Sequence, residues 1–320
     1  MEMIADMKEA KFRPGDLVTV RSVREIASTL DGTGTLEGLP FLPEMLKYCG
    51  RTFRVQRRVE KLIQENSGSG LRRMKNAVVL DGPTCDGKSH NDCQRACFPL
   101  WKTAWLSAVS ENAVGTQHDA AAATESVPGH AIPGLRTGST CQVTELTKAT
   151  APLSYWHPLR FYLDLTSNTY SRGEYLRYIL GAIHRKTLKK ILAVPASQKP
   201  APKPSVPSES LELRPGDLVE VKSAEEIRAT LDEQGKTRGL LFMPAQWAYC
   251  GRQFRVLKVA NQMMDEHTGE MVRLKRAVLL EGTTCDGKAY GGCQRGCLTF
   301  WKEAWLRRVE DARAGSDPQA

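Results

Sequence analysis

Long apolar runs are missing from this chain. No uninterrupted apolar stretch in its 320 residues approaches the roughly 20 needed to span a bilayer. The opening segment MEMIADMKEAKF carries acids and lysines where a secretory signal would need an apolar core. Both absences point to a cytoplasmic protein with reduced thiols. Catalytic signatures are missing as well: there is no G-x-S-x-G, no Walker loop and no dinucleotide fingerprint. Histidine is scarce, at six residues. An enzyme built on this chain would need a site that no motif announces. The apolar fraction of 41% and charged fraction of 25% exclude wholesale disorder, and the length suits two or three small domains.

What the sequence does contain is a repeat. RPGDLVTVRSVREIASTLD, from Arg13, returns as RPGDLVEVKSAEEIRATLD, from Arg214. GLPFLPEMLKYCGRTFRV returns as GLLFMPAQWAYCGRQFRV, and LWKTAWLSAV as FWKEAWLRRV. About half the aligned positions are identical, which predicts two homologous modules. The register slips by one residue where ENSGSGLRR faces DEHTGEMVR, as a loop tip allows.

Each module reads as mainly β. Asp16 to Val20 alternates like a strand after a Pro-Gly turn. REIASTLD predicts a short helix capped by Ser22, with Glu25 completing a capping box. Phe53 to Ile63 and Leu71 to Leu80 predict a long hairpin, and WLSAV a closing strand. Short strands with little helix suggest a small barrel, and RPGDLV resembles the start of KOW-type and other SH3-like barrels. The expected organisation is a tail over 1–12, a first module over 13–109 and a flexible Ala/Gly/Ser/Thr-rich linker over 110–140. A central helical segment over 141–193, a Pro-rich linker over 194–213, a second module over 214–309 and a tail over 310–320 complete it. Such linkers imply that the modules fold independently.

Eight of the nine cysteines form two copies of one set: Cys49, Cys85, Cys93 and Cys97, then Cys250, Cys285, Cys293 and Cys297. Cys141 has no counterpart. Four thiolates supply the ligand number of a tetrahedral zinc site or an iron–sulfur cluster, so two metal sites per chain are expected. Cys85 and Cys285 open a Cys-Asp-Gly turn suited to wrapping backbone around an ion. The C-x7-C-x3-C spacing has no C-x2-C knuckle and matches neither ferredoxin pattern, which leaves zinc and iron–sulfur both open. Buried free thiols and disulfides are the competing readings. Four cysteines would close the sphere, which favours a structural role.

No histidine recurs in both modules; His90 meets Tyr290, which reads as a surface residue rather than a ligand. Asp86, Lys88, Gln94 and Arg95 recur as Asp286, Lys288, Gln294 and Arg295. They read as one turn brace among solvated side chains, or alternatively as a polar rim for a partner. Trp101 and Trp105, with Trp301 and Trp305, have the spacing of a core face beneath a short helix, or of a base-stacking platform.

The net charge of +9 admits a polyanionic partner. In the central segment Ser171 and Glu174 suggest a capping box, and Leu176, Ile179, Leu180, Ile183 and Ile191 share one helical face. Arg177, Arg185, Lys186, Lys189 and Lys190 fill the rest of that surface. This amphipathic helix could dock a protein, an anionic membrane surface or nucleic acid, or simply pack between modules.

YCGRTFRV, CQRAC and WKTAWL, with their second copies, resemble small uncharacterised bacterial proteins with one Cys-rich module of the YCG…C…C…C…W type. The resemblance covers both modules. It implies a role beside polysaccharide or secondary-metabolite assembly, but no reaction. Two function classes follow: a non-enzymatic binding or scaffold protein held by zinc, or a redox or accessory enzyme with two iron–sulfur centres.

Overall fold

The computed structural model describes residues 12–64, 70–109, 141–154, 157–166, 173, 175–177, 210–266 and 268–309. The tails, both linkers, the Ser171–Glu174 cap and the side chains of Arg185, Lys186, Lys189 and Lys190 fall wholly or mostly outside these residues. Among the described residues no helix is long and apolar enough to cross a membrane.

The described chain is mainly β. Strand β1 (Leu17–Val20) buries Val18 and Val20 and turns its alternate residues outward, the period of two that its sequence carries. Helix α1 (Val23–Ala27) starts at Ser22, whose side chain accepts from the Glu25 amide at 3.4 Å while the Glu25 carboxylate accepts from the Ser22 amide at 2.9 Å. A small hairpin, β2 (Thr35–Leu36) and β3 (Leu39–Pro40), leads through the 3-10 turn Pro43–Tyr48 into the long strands β4 (Thr52–Ile63) and β5 (Leu71–Leu80). Strands β6 (Leu100–Lys102) and β7 (Leu106–Ala108) close the unit. The hydrogen-bonded order is β6-β5-β4-β1-β7. A 3-10 turn, Thr103–Trp105, carries the chain from one edge strand directly into the other, so the sheet curls into a nearly closed barrel.

The first unit then continues into a covering segment. Helix α2 (Leu146–Ala149) and strand β8 (Ala151–Pro152) lie against it, β8 pairing with β5 and Arg72 donating to Thr150 Oγ1 and to the carbonyls of Thr147 and Thr150. Helix α3 (Pro158–Thr166) brings Asp164 onto Lys61, an ion pair buried on both sides.

The same strand order is built a second time. Strand β9 (Leu218–Val221), helix α4 (Ala224–Arg228), β10 (Lys236–Thr237), β11 (Leu240–Leu241), β12 (Gln253–Met264), β13 (Met271–Thr284), β14 (Leu298–Lys302) and β15 (Leu306–Arg308) follow in sequence. Their sheet runs β14-β13-β12-β9-β15. The register matches too: Val18 faces Phe53 and Ala108, and Val219 faces Phe254 and Arg308. Both long hairpins carry irregularities at the same places, after Val55 and Val59 in one and after Val256 and Ala260 in the other. Bulges of this kind add twist and help a sheet curl.

Trp101, Trp105, Trp301 and Trp305 are fully buried, so they are core and not a stacking platform. They sit on a strand and the 3-10 turn after it, rather than on the short helix their spacing suggested. Phe41 meets Trp105 edge-on at 5.2 Å, and Phe242 meets Trp305 edge-on at 4.9 Å. Three of the four indoles find an acceptor, Trp105 Nε1 donating to Thr29 Oγ1, Trp301 Nε1 to Thr283 Oγ1 and Trp305 Nε1 to Thr237 Oγ1, whereas Trp101 Nε1 is buried without a hydrogen-bond partner.

The two units are not separate bodies. Each Cys-rich loop docks on the long hairpin of the other unit. The side-chain oxygen of Gln294 accepts from the amides of Glu60 and Lys61 at 2.7 and 3.0 Å, and its own amide donates to the Lys61 carbonyl. Gln94 does the same to Asn261 and Gln262. In both cases the amides served lie beside the second bulge. Arg95 and Arg295 converge on one carboxylate, Glu266. Gln94, Arg95, Gln294 and Arg295 therefore form the joint, which corrects their reading as solvated; Asp86 does brace its turn, accepting from the Lys88 amide.

Candidate metal centre

Each Cys-rich loop is a closed ring of backbone. The Cys85 amide donates to the Cys97 carbonyl at 2.8 Å, and the Cys285 amide to the Cys297 carbonyl at the same distance. Gly87 has φ +77° and a Cβ there would sit 1.9 Å from the Cys93 carbonyl oxygen, so only glycine fits. Gly287 is under the same constraint. The Cys-Asp-Gly phrase thus folds each loop back on its middle cysteine.

In the first unit this brings together Cys85, His90 and Glu44, all at most 7% exposed. Cys85 Sγ lies 3.3 Å from His90 Nε2 and 3.1 Å from Glu44 Oε1, and His90 Nδ1 lies 3.4 Å from Glu44 Oε1. The Ser89 hydroxyl also donates to Glu44. Zinc bond lengths put neighbouring donors of a tetrahedral site about 3.3–3.8 Å apart, and Cys85 Sγ lies close to that distance from both His90 Nε2 and Glu44 Oε1, one imidazole giving only one of its nitrogens to an ion. Among the described residues this is the one group of three such donors mutually within 4.8 Å. His90 is a buried member of it, correcting its reading as a surface residue.

The electrostatics agree. Burial alone would lower the His90 pKa, yet the thiols of Cys141, Cys85 and Cys93 around the ring push it up to about 12. Burial pushes the Cys85 thiol up to about 11 even beside His90. Burial opposes ionisation of Cys93 too, but His90 and the amides of Met264 and Arg95 hold its thiol below the ordinary value. The Met264 amide reaches Cys93 Sγ from the other unit at 3.3 Å.

In the second unit Ala245 and Tyr290 stand where the first has Glu44 and His90. Cys285, Cys293 and Cys297 line one cavity together with Tyr290 and Arg295. Cys293 Sγ accepts from the Ile63 amide at 3.3 Å, the mirror of the Cys93 contact.

Of each sequence set of four, then, three cysteines lie in the loop and the other precedes the long hairpin. Cys49 and Cys250 end the 3-10 turns Pro43–Tyr48 and Pro244–Tyr249. Burial pushes Cys49 up to about 11 and raises Cys250, with no thiol neighbour contributing at either. Glu44 and Cys141 escaped the sequence reading. Glu44 carried a signal, since it and His90 change together between the two copies. Cys141 carried none. No family model, curated protein or solved structure matches the chain.

Proposed function

We propose that this is a metal-binding protein of the scaffold class, with SH3-like units. In this reading the first unit holds one zinc ion on Cys85, His90 and Glu44. The buried thiol–imidazole–carboxylate group is the observation that carries the reading. Its surroundings favour a positive charge at its centre, and a divalent ion meets that demand better than a proton on the ring. A mixed donor set suits zinc, whereas clusters take mainly thiolates. The ion's part is structural: it fixes the loop whose Gln94 and Cys93 grip the second hairpin. The assembled pair then serves as a platform for a protein partner.

The same three side chains have the order of a nucleophilic relay, thiol to imidazole to carboxylate. Burial argues against that use. The Cys85 thiol is 7% exposed and its pKa is raised, while a nucleophilic thiol needs access and a depressed pKa. The iron–sulfur alternative draws support only from the all-thiol triplet of the second unit.

Elemental and sulfide analysis of protein purified under reductant and without oxygen tests the reading. Zinc without sulfide is expected, with one equivalent lost in His90→Ala and in Cys85→Ser. Metal-free protein that melts at the same temperature with and without added zinc would overturn it, because metal held by folded protein stabilises the fold.

A further inference from the structure

The two Cys-rich loops differ in what covers them. In the first unit Gln142, Val143 and Leu146 of the covering segment close over the loop and leave a cavity of only about 20 Å³. In the second the matching place holds a cavity of about 130 Å³, with Leu298 and Phe300 where the first unit has Phe98 and Leu100. A Cβ on Gly38 would sit 2.5 Å from the Lys148 carbonyl oxygen of the covering segment. One on its counterpart, Gly239, would meet nothing within 4 Å among the described residues. The second unit thus keeps open a seat that the first fills with its own chain.

Charge at this seat is unbalanced. Arg295, 8% exposed, donates from both Nη atoms to Glu266 at 2.9 Å, and Arg95 pairs with the same carboxylate. Arg57 crosses from the first unit and lays its guanidinium on Gly296, where a Cβ would sit 2.5 Å from the guanidinium carbon. Its Nε is buried without a hydrogen-bond partner. Arg95, Arg295, Glu266 and Gly296 all line the cavity, so three guanidiniums gather at or against a wall that offers one carboxylate. Burial raises the thiol pKa values of Cys285 and Cys293, so neither adds negative charge at neutral pH. Buried cations that outnumber their counter-ions favour an anionic ligand.

Most of the remaining wall is apolar, with Ile63, Leu240, Leu241 and Met243 beside Leu298 and Phe300. One water needs about 10–15 Å³ by the same measure, so the space suits a molecule of roughly ten heavy atoms. We propose that this cavity binds a small organic acid, its carboxylate on Arg95 and Arg295 and its apolar body against Leu240, Leu241 and Phe300. Guanidinium forks match a carboxylate, and an apolar wall with a few convergent polar groups is the usual make-up of a small-molecule site. The proposal is independent of the metal reading: it needs no ion and uses no atom of the first-unit group.

Calorimetric titration of the full chain with sodium benzoate tests it, with benzyl alcohol and inorganic phosphate as comparisons. Benzoate should bind one to one. Benzyl alcohol, which keeps the ring and lacks the charge, should bind at least about tenfold more weakly, the worth of one charged hydrogen bond, and phosphate, which has no apolar body, more weakly too. Bound benzoate should slow alkylation of Cys293 and Cys297, which line the cavity, and leave that of Cys49 unchanged. Arg95→Gln should weaken benzoate about tenfold and leave benzyl alcohol as it was. Leu241→Asp changes a wall residue that is 42% exposed, so the fold tolerates it, and should weaken both; circular dichroism checks each variant. No benzoate binding at millimolar concentration, benzyl alcohol or phosphate bound as tightly, an affinity unchanged in Arg95→Gln or Leu241→Asp, or cavity thiols equally reactive with and without benzoate would each overturn the proposal. Benzoate bound at this site by protein free of zinc would support it and separate it from the first-unit reading.

Discussion

Replacing Gln294 with alanine should loosen the other half of the molecule. Its side-chain oxygen accepts two main-chain hydrogen bonds, from the amides of Glu60 and Lys61, and Gln294 itself is 1% exposed. Those amides sit beside a bulge in β4, so the side chain, rather than the sheet ladder, satisfies them. A buried donor left unsatisfied costs about 1–3 kcal/mol; the Lys61 amide is buried and the Glu60 amide partly so, which sets the loss at roughly 2–4 kcal/mol. Gln94 makes the equivalent bonds to Asn261 and Gln262, but those amides are exposed and part-buried, so Gln94→Ala should cost only about 1–2 kcal/mol. Urea unfolding gives the two losses, and amide hydrogen exchange locates them. Protection should fall at residues 60 and 61, more than two hundred positions from the substitution. Unchanged exchange there, or a larger cost for Gln94→Ala, would refute the crossed joint.

Two further expectations concern local devices. Ser22→Ala should cost about 1 kcal/mol by removing the cap of α1. The Ser22 hydroxyl and amide, acting through hydrogen bonds, hold the Glu25 pKa below the ordinary carboxylate value. Its contribution is therefore present above that ordinary value and lost as pH falls through the lowered one, and the acid limb of a stability–pH curve should flatten in Ser22→Ala. Gln142→Ala should remove the bonds that Gln142 makes to both main-chain groups of Leu100 and to the Pro40 carbonyl, and should speed thiol labelling of Cys141. Met45→Gln in the same chain should restore part of the stability, measured by thermal melting, because glutamine at the matching position of the second unit already bonds the Phe300 carbonyl.

Local structure was legible in the sequence because its causes are local. Alternation marked β1, the Ser22–Glu25 pair marked the start of α1, and the two long apolar-rich runs around ENSGSG marked β4 and β5. The joint between units was not legible, since a glutamine that serves amides beside a bulge leaves no periodic trace. Gln94 and Gln294 recurred for that reason, yet looked like solvated polar residues. His90 was misread for a different cause. Its mismatch with Tyr290 suggests that nothing depends on it, whereas Glu44 and Ala245 differ in step with it and, among the described residues, the pair belongs to a buried donor group of the first unit alone.

The difference in what covers the two cysteine loops goes with a single backbone demand. The strand residue before the first buried tryptophan of each unit, Leu100 or Phe300, presents main-chain groups that the curled sheet leaves for a side chain. In the second unit Gln246 answers from within, donating to the Phe300 carbonyl at 3.0 Å while accepting from the Met243 amide at 2.8 Å. In the first, Met45 stands at that position and cannot answer, so Gln142 comes in from the covering segment and bonds both the amide and the carbonyl of Leu100. That segment carries Cys141 to the His90 ring and fills the space over the loop. The second unit, satisfied internally, has Leu240, Leu241 and Met243 along a cavity that stays roomy. Three exchanges, Met45 for Gln246, Glu44 for Ala245 and His90 for Tyr290, thus accompany the difference between a covered loop with a buried imidazole and carboxylate and a roomier one lined by thiols and arginines. Two loops of similar sequence thus meet different neighbours, and the glutamines that join the units keep both settings in one folded body.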